Sequence, residues 1–150
     1  MSLFGKKSSD RRHLFSFTPD YISQESLRSL ANKTDLYSKT KRELIILEKV
    51  NYYIYQFDPT SLSADIIPCL DDAPYPGAMK VVAGEKQVGF VPKKKLKHVL
   101  FSIDGDCDIH IELSGGPYKI IDVEYDDYGH PRHWIDKHDD DVKVKVIIEY

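Results

Sequence analysis

Two stretches of the chain alternate cleanly between apolar and polar positions. In "CDIHIEL", Cys107, Ile109, Ile111 and Leu113 share one side while Asp108, His110 and Glu112 share the other. In the closing "VKVKVIIEY", Val142, Val144, Val146 and Ile148 fall together. A period of two puts successive side chains on opposite faces of a strand, so both segments are predicted as half-buried strands. "AMKVVA" and "KQVGFV" add two strands joined at Gly84-Glu85, a hairpin signal. "ADIIPCL" is a short strand that Pro68 confines to an edge or a bulge, and "YKIIDVEY" is another, set off by the break "SGGP". "DDYGHPRHWIDKHDDD" reads as a long acidic loop.

Helical spacing is confined to two places. Leu27, Leu30 and Ala31 recur at helical intervals, and Thr40 with Glu43 forms a capping box ahead of Leu44 and Leu47, predicting one or two short helices. The following "ELIILEKVNYYIYQF" supports helix to about Val50 and strand from Tyr52 to Phe57, although its β-branched and aromatic residues also fit strand throughout. The second place is "VPKKKLKHVLFSI", where Leu96, Val99, Leu100 and Ile103 line one face and Pro92 sits near the first position. These elements predict a mainly β or α+β domain, a small OB-like antiparallel barrel with one amphipathic helix. Residues 1–17 are expected as a mobile basic tail, 18–51 as a helical extension and 52–150 as the barrel domain.

Composition narrows the class. The chain has 150 residues, 41% hydrophobic and 30% charged, enough to bury a core and too apolar for wholesale disorder. No apolar run approaches the ~18 residues of a membrane span, and none resembles a secretory signal, so a soluble, cytoplasmic protein without a membrane partner is expected. Cys69 and Cys107 are unpatterned and suggest neither a disulfide framework nor a zinc site. The net charge of −3 hides a gradient: residues 1–50 carry ten Lys/Arg against six Asp/Glu, and residues 101–150 five against thirteen. A basic face and an acidic face would follow if folding gathers those charges.

The lysines of "VPKKKLKHV" present the sharpest question. Burial of Leu96 on a helix argues against a nuclear-import signal, which must be extended and accessible. Lysines in a first helical turn oppose the partial positive charge of the helix N-terminus, and Val91 offers no cap for the free amides. A phosphate would resolve both defects. Taken alone, the segment favours lysines simply screened by water.

A resemblance alters that balance. "DDAPYPGAMKVVAGEKQVGFVPKKKLKHVL" resembles the signature region of HIRAN domains: a turn-rich segment, a strand, a turn, a V-G-[YFH]-[IVL]-P strand and a basic helix. The likeness spans roughly Tyr52 to Tyr125. It implies an OB-like barrel, such as occurs alone in bacteria and phages, with binding of single-stranded DNA or DNA ends as its activity. By position, Tyr75 matches the family's loop tyrosine, Phe90 stands where some members have a ligand-contacting histidine, and Tyr52 and Tyr53 match an aromatic pair on the first strand. Pro76 replaces the family's loop aspartate, so the resemblance does not carry over specificity for a 3′ end. The nucleic-acid-binding candidates are therefore Tyr52, Tyr53, Tyr75, Lys80, Phe90, Lys93, Lys94, Lys95 and Lys97. Stacking suits any base, but Phe90 fits a core position equally well.

Other chemistry finds little support. His130, His133 and His138 lie among Asp126, Asp127, Asp136 and Asp139, but their spacing matches no metal motif, and Pro131 argues against a helix aligning them. They are read as incidental to a solvated loop, with no metal or cofactor implied. Neither a nucleophile motif nor an acid/base pair can be named, so no catalytic residue is assigned and the protein is expected not to be an enzyme. The alternative to nucleic-acid binding is a protein-interaction or assembly module, engaging a partner chain or a second copy through strand edges and the acidic segment.

Overall fold

The computed structural model describes residues 11–19, 21–71 and 73–150. It is mainly antiparallel β. In chain order the elements are β1 (Arg12–Phe17), α1 (Tyr21–Leu30), α2 (Lys41–Ile46), β2 (Ile54–Tyr55), β3 (Thr60–Ser63), β4 (Asp65–Pro68), β5 (Met79–Ala83), β6 (Lys86–Phe90), α3 (Leu96–Ser102), β7 (Asp108–Tyr125) and β8 (Pro131–Glu149). Five strands form one sheet, in which β1 pairs β8, β8 pairs β7, and both β2 and β3 pair β7. A second sheet has the order β4-β5-β6. Only Ala64 separates β3 from β4, and its amide donates to Ile109 O at 3.0 Å, so this stretch passes from one sheet to the other almost without interruption. Hydrogen bonding among the described strands does not close the sheets into a barrel.

The alternation found in the sequence accounts for the core between the sheets. Ile111 and Leu113 of β7 and Val142, Val144, Val146 and Ile148 of β8 pack with Val81, Val88 and Val91 across the gap, nearly all fully buried. At about 25 cal/mol per Å² of apolar surface removed from water, such a cluster is the main driving term for the fold. The Gly84-Glu85 hairpin is present, with φ of +55° and +63°, the left-handed pair that a tight two-residue turn requires.

Four sequence expectations are corrected. Arg12–Phe17, assigned to a mobile tail, is β1, in register with β8 from Arg12↔Glu149 to Phe17↔Val144; residues 1–10 of that tail lie outside the described residues. Residues 18–51 are not a separate extension, because Leu27 of α1 lies in the main core and α1 packs on β6 and β8. "SGGP" does not end a strand: β7 continues through a register shift between Gly115 and Pro117, where Gly115 and Gly116 take φ of +80° and +89°. Glycine bends the backbone there, and continued pairing with β8 keeps it in the ladder. The supposed acidic loop is mostly β8, paired with β7 from Pro131↔Tyr125 onward, and only the Asp126–His130 region turns. Most of its carboxylates and histidines are exposed, in the turn or along the strand, and polarity at exposed positions is no obstacle to β structure.

The outer halves of β7 and β8 extend as an arm. α2 covers one face of it through a smaller core of Leu44, Ile54 and Ile121, joined by Leu36, Tyr37 and Ile135. The predicted capping box is formed: Thr40 Oγ1 accepts from the Glu43 amide at 3.2 Å, and the Thr40 amide donates to Glu43 Oε1 at 2.9 Å. These bonds hold the Glu43 carboxyl below its usual value. The helix stops at Ile46 rather than near Val50, because Glu48 and Asn51 turn the chain with φ of +59° and +66°. No described helix is long and apolar enough to cross a membrane.

Candidate nucleic-acid interface

The lysine segment is not one continuous helix. Lys93–Lys95 form a 3-10 turn that leads into the seven-residue α3. Within it the Lys95 amide donates to Pro92 O at 2.8 Å and the Leu96 amide to Lys93 O. Two of the amides expected to await an anion are thus already bonded, and so short a helix has little dipole to offer. Any attraction for phosphate comes from the side chains. Lys93, Lys94 and Lys97 are exposed and Lys95 is half-buried.

The predicted apolar face is narrower than its spacing suggests. Val99 is fully buried, and Leu96 and Ile103 pack on the core, but Leu100 is 45% exposed. Ser102 takes a buried position beside Val99, its hydroxyl donating to His98 O at 2.8 Å. The 3-10 start turns the helix so that Leu100 falls on the wet side.

Tyr75 sits beside this segment. Its hydroxyl donates to Val91 O at 2.6 Å, and Lys93 Nζ lies 6.0 Å from the centre of its ring. Burial, and secondarily Cys69, push the phenol above its ordinary value, so the proton in that bond is firmly held. The bond ties the "PYPG" loop to the end of the β6 hairpin, and the half-buried ring keeps its cation close.

Lys80 and Phe90 meet on the second sheet. They are register partners on β5 and β6, and Ile67 of β4 pairs Lys80 from the other side, so the three form a row across the sheet. Val88, Gly89 and Val91 are buried, whereas Phe90 is half-buried and stands outside the main core cluster. A cleft of about 440 Å³ runs over this row, with Cys69, Leu70 and Gln87 on its walls and Asp71 as its carboxylate.

Tyr52 and Tyr53 lie elsewhere. With Tyr55, Lys49 and Phe57 they line a separate cleft of about 500 Å³, which shares no lining residue with the first. Lys49 Nζ stands 5.0 Å over the Tyr52 ring. The fold therefore gathers Lys80 with Phe90 and Tyr75 with Lys93, and leaves the tyrosine pair in its own cleft.

An aromatic column escaped the sequence reading. Tyr118 of β7 lies between Tyr55 of β2 and His138 of β8 in the sheet register. Tyr53 stacks on Tyr118 at 5.2 Å and 5°, and Tyr118 stacks on His138 at 4.7 Å and 10°. Burial, then Asp140, the neighbouring tyrosines and Asp136, raise the Tyr118 phenol. The only hint in the sequence was the alternation Tyr53-Ile54-Tyr55; pairing with residues some sixty and eighty positions on cannot be read locally. His138 is thereby held in a stack, His130 Nδ1 lies 3.4 Å from Asp126 Oδ2 in the turn, and His133 pairs Val123 farther along the arm. Among the described residues, no three His, Cys, Asp or Glu side chains are grouped to hold a metal.

No protein-family model matches the chain, and no curated protein or solved structure does either.

Proposed function

We propose that this protein is a non-enzymatic nucleic-acid-binding module with a HIRAN-like, partly open OB-type fold, taking single-stranded DNA or DNA ends. The observation that carries the reading is the Tyr75–Lys93 contact at the edge of the β4-β5-β6 sheet. It sets an aromatic face and a cation side by side, the pair of groups that a base and its phosphate engage. Lys94 and Lys97 extend the positive charge, and Lys80 with Phe90 offers a second cation–aromatic pair in the neighbouring cleft. The passage from β3 to β4 through Ala64 supports the OB-type reading, since strands shared between sheets are how small barrels turn their corners.

The test is a fluorescence-anisotropy titration of the protein with single-stranded DNA, duplex DNA and RNA at two salt concentrations. Replacing Lys93 and Lys94 together by alanine lowers single-strand affinity by roughly ten-fold and flattens the salt slope by ~0.7 for each phosphate no longer neutralised, with stability unchanged. Absence of salt-dependent binding to every nucleic acid, or full binding by the double variant, rejects this reading in favour of an interaction module.

A further inference from the structure

One face of the β7–β8 arm is covered by α2, whereas the other carries the aromatic column and a group of carboxylates. Sheet register places Tyr118 opposite His138, Ile120 opposite Asp136 and Asp122 opposite Trp134, so all six side chains share that outer face. Tyr53 is 61% exposed at one end of the column, and His138 is exposed at the other. The rings already support one another, so a ligand meets a platform that needs little ordering.

The electrostatics are opposite to those of the lysine segment. Asp136 and Asp140 both act on the Tyr118 phenol. Burial, and then the neighbouring Asp136, raise the Asp122 carboxyl, while His138 opposes that shift. Two carboxyls this close repel one another when both are ionised, and an arriving cation relieves that repulsion. Among the described residues, no ion pair joins a lysine or arginine to Asp122, Asp136 or Asp140; Arg28 engages Asp139 Oδ1 at 3.1 Å and only the backbone oxygen of Asp140. A phosphate backbone would be repelled here, so this is not a continuation of the nucleic-acid surface. Next to the column the chain already seats a cation of its own on a tyrosine face, Lys49 on Tyr52.

We propose that the outer face of the β7–β8 arm docks a cationic polypeptide segment, with arginine or lysine side chains lying on Tyr53 and the Tyr118–His138 stack and pairing with Asp136 and Asp140. Aromatic faces attract cations through their quadrupole, and guanidinium groups both stack on rings and bond carboxylates in a plane. Charge complementarity selects the occupant. A neutral apolar chain would bury the carboxylates unpaired, which is costly. The proposal does not depend on the Lys93–Tyr75 surface, with which it shares no residue.

The experiment is an anisotropy titration of the full chain with a fluorescein-labelled peptide of alternating arginine and glycine, a glutamate–glycine counterpart and a single-stranded oligonucleotide. The arginine peptide binds with an affinity that falls with salt, and the glutamate peptide does not bind. Asp136→Asn with Asp140→Asn weakens peptide binding at least ten-fold, and so does Tyr53→Ala, while the Lys93/Lys94 alanine variant binds the peptide as wild type does. Thermal unfolding confirms that each variant is folded; Tyr53→Phe, which keeps the ring, retains binding. The inference is overturned if the arginine peptide fails to bind the wild-type chain, or if the asparagine variant binds it unchanged. It is equally overturned if sedimentation shows self-association that the asparagine variant abolishes, which would assign the face to a second copy.

Discussion

The side chain of Gln24 completes the main sheet at Val142. Its Nε2 donates to Val142 O at 2.9 Å, and its Oε1 accepts from the Val142 amide at 2.9 Å. β1 leaves β8 at Val144, so the next outward-facing peptide group of β8 lies beyond the reach of that strand. A glutamine side chain is a primary amide, with the donor and acceptor of a peptide group, and from α1 it serves as one further residue of β1. The bond lies beside the register shift of β7 and β8, where a break in the ladder would otherwise open the core.

Gln24→Ala strands a buried donor and a buried acceptor and costs about 2 to 4 kcal/mol, measured by urea unfolding. Gln24→Glu keeps only the acceptor and places a carboxylate against Val142 O. Its folded-state value is raised, so that variant is least stable at neutral pH and recovers as pH falls through the raised value. An alanine variant as stable as wild type would show that water replaces the amide at no cost.

Gly89 and Phe17 are in contact between the two sheets, since a Cβ at Gly89 would overlap the Phe17 ring. Gly89→Ala therefore destabilises by about 1 to 3 kcal/mol through overpacking. Adding Phe17→Leu to the alanine variant restores part of the loss, so the two changes are non-additive in a double-mutant cycle. Simple additivity would place the strain elsewhere.

His13 of β1 stacks on His98 of α3 at 5.6 Å and 7°. Burial, then His98, then Lys95, hold His13 below its ordinary value of 6.5, and its Nε2 is buried without a hydrogen-bond partner among the described residues. Folding thus favours the neutral ring. Its contribution is whole above the unfolded value and is lost as pH falls through that value toward the lowered one. The melting temperature of wild type drops between pH 7 and pH 5 by more than that of His13→Phe. Parallel profiles for the two proteins would exclude the pair as a source of acid sensitivity.

Tyr75 combines a tether with an aromatic face, and two substitutions separate them. Tyr75→Phe loses the bond to Val91 O and about 1 kcal/mol of stability, and leaves single-strand affinity within about two-fold. Tyr75→Ala also removes the ring and about 1–3 kcal/mol of binding per stacked base. Equal loss of affinity in both variants would mean that the tyrosine acts only by holding its loop.

What the sequence determined by itself is local. The strict alternation of Ile109, Ile111 and Leu113 and of Val142 to Ile148 specified half-buried strands, because a period of two offers only one way to bury a stripe. The Thr40–Glu43 box and the Gly84-Glu85 turn were equally plain, each resting on bonds or dihedrals within a few residues. The candidate surface was legible in part: Tyr75 and Lys93, eighteen positions apart, are brought together across a single hairpin. Everything that depended on a distant partner was decided by the tertiary structure. A polar run became β8 because β7 supplied its ladder, Arg12–Phe17 became β1 because β8 had a free edge, and Gln24 acquired its role 118 residues from the bond it makes. Backbone groups must be paired wherever they are buried, and which segment pairs them depends on proximity in the fold, which a sequence pattern read locally does not contain.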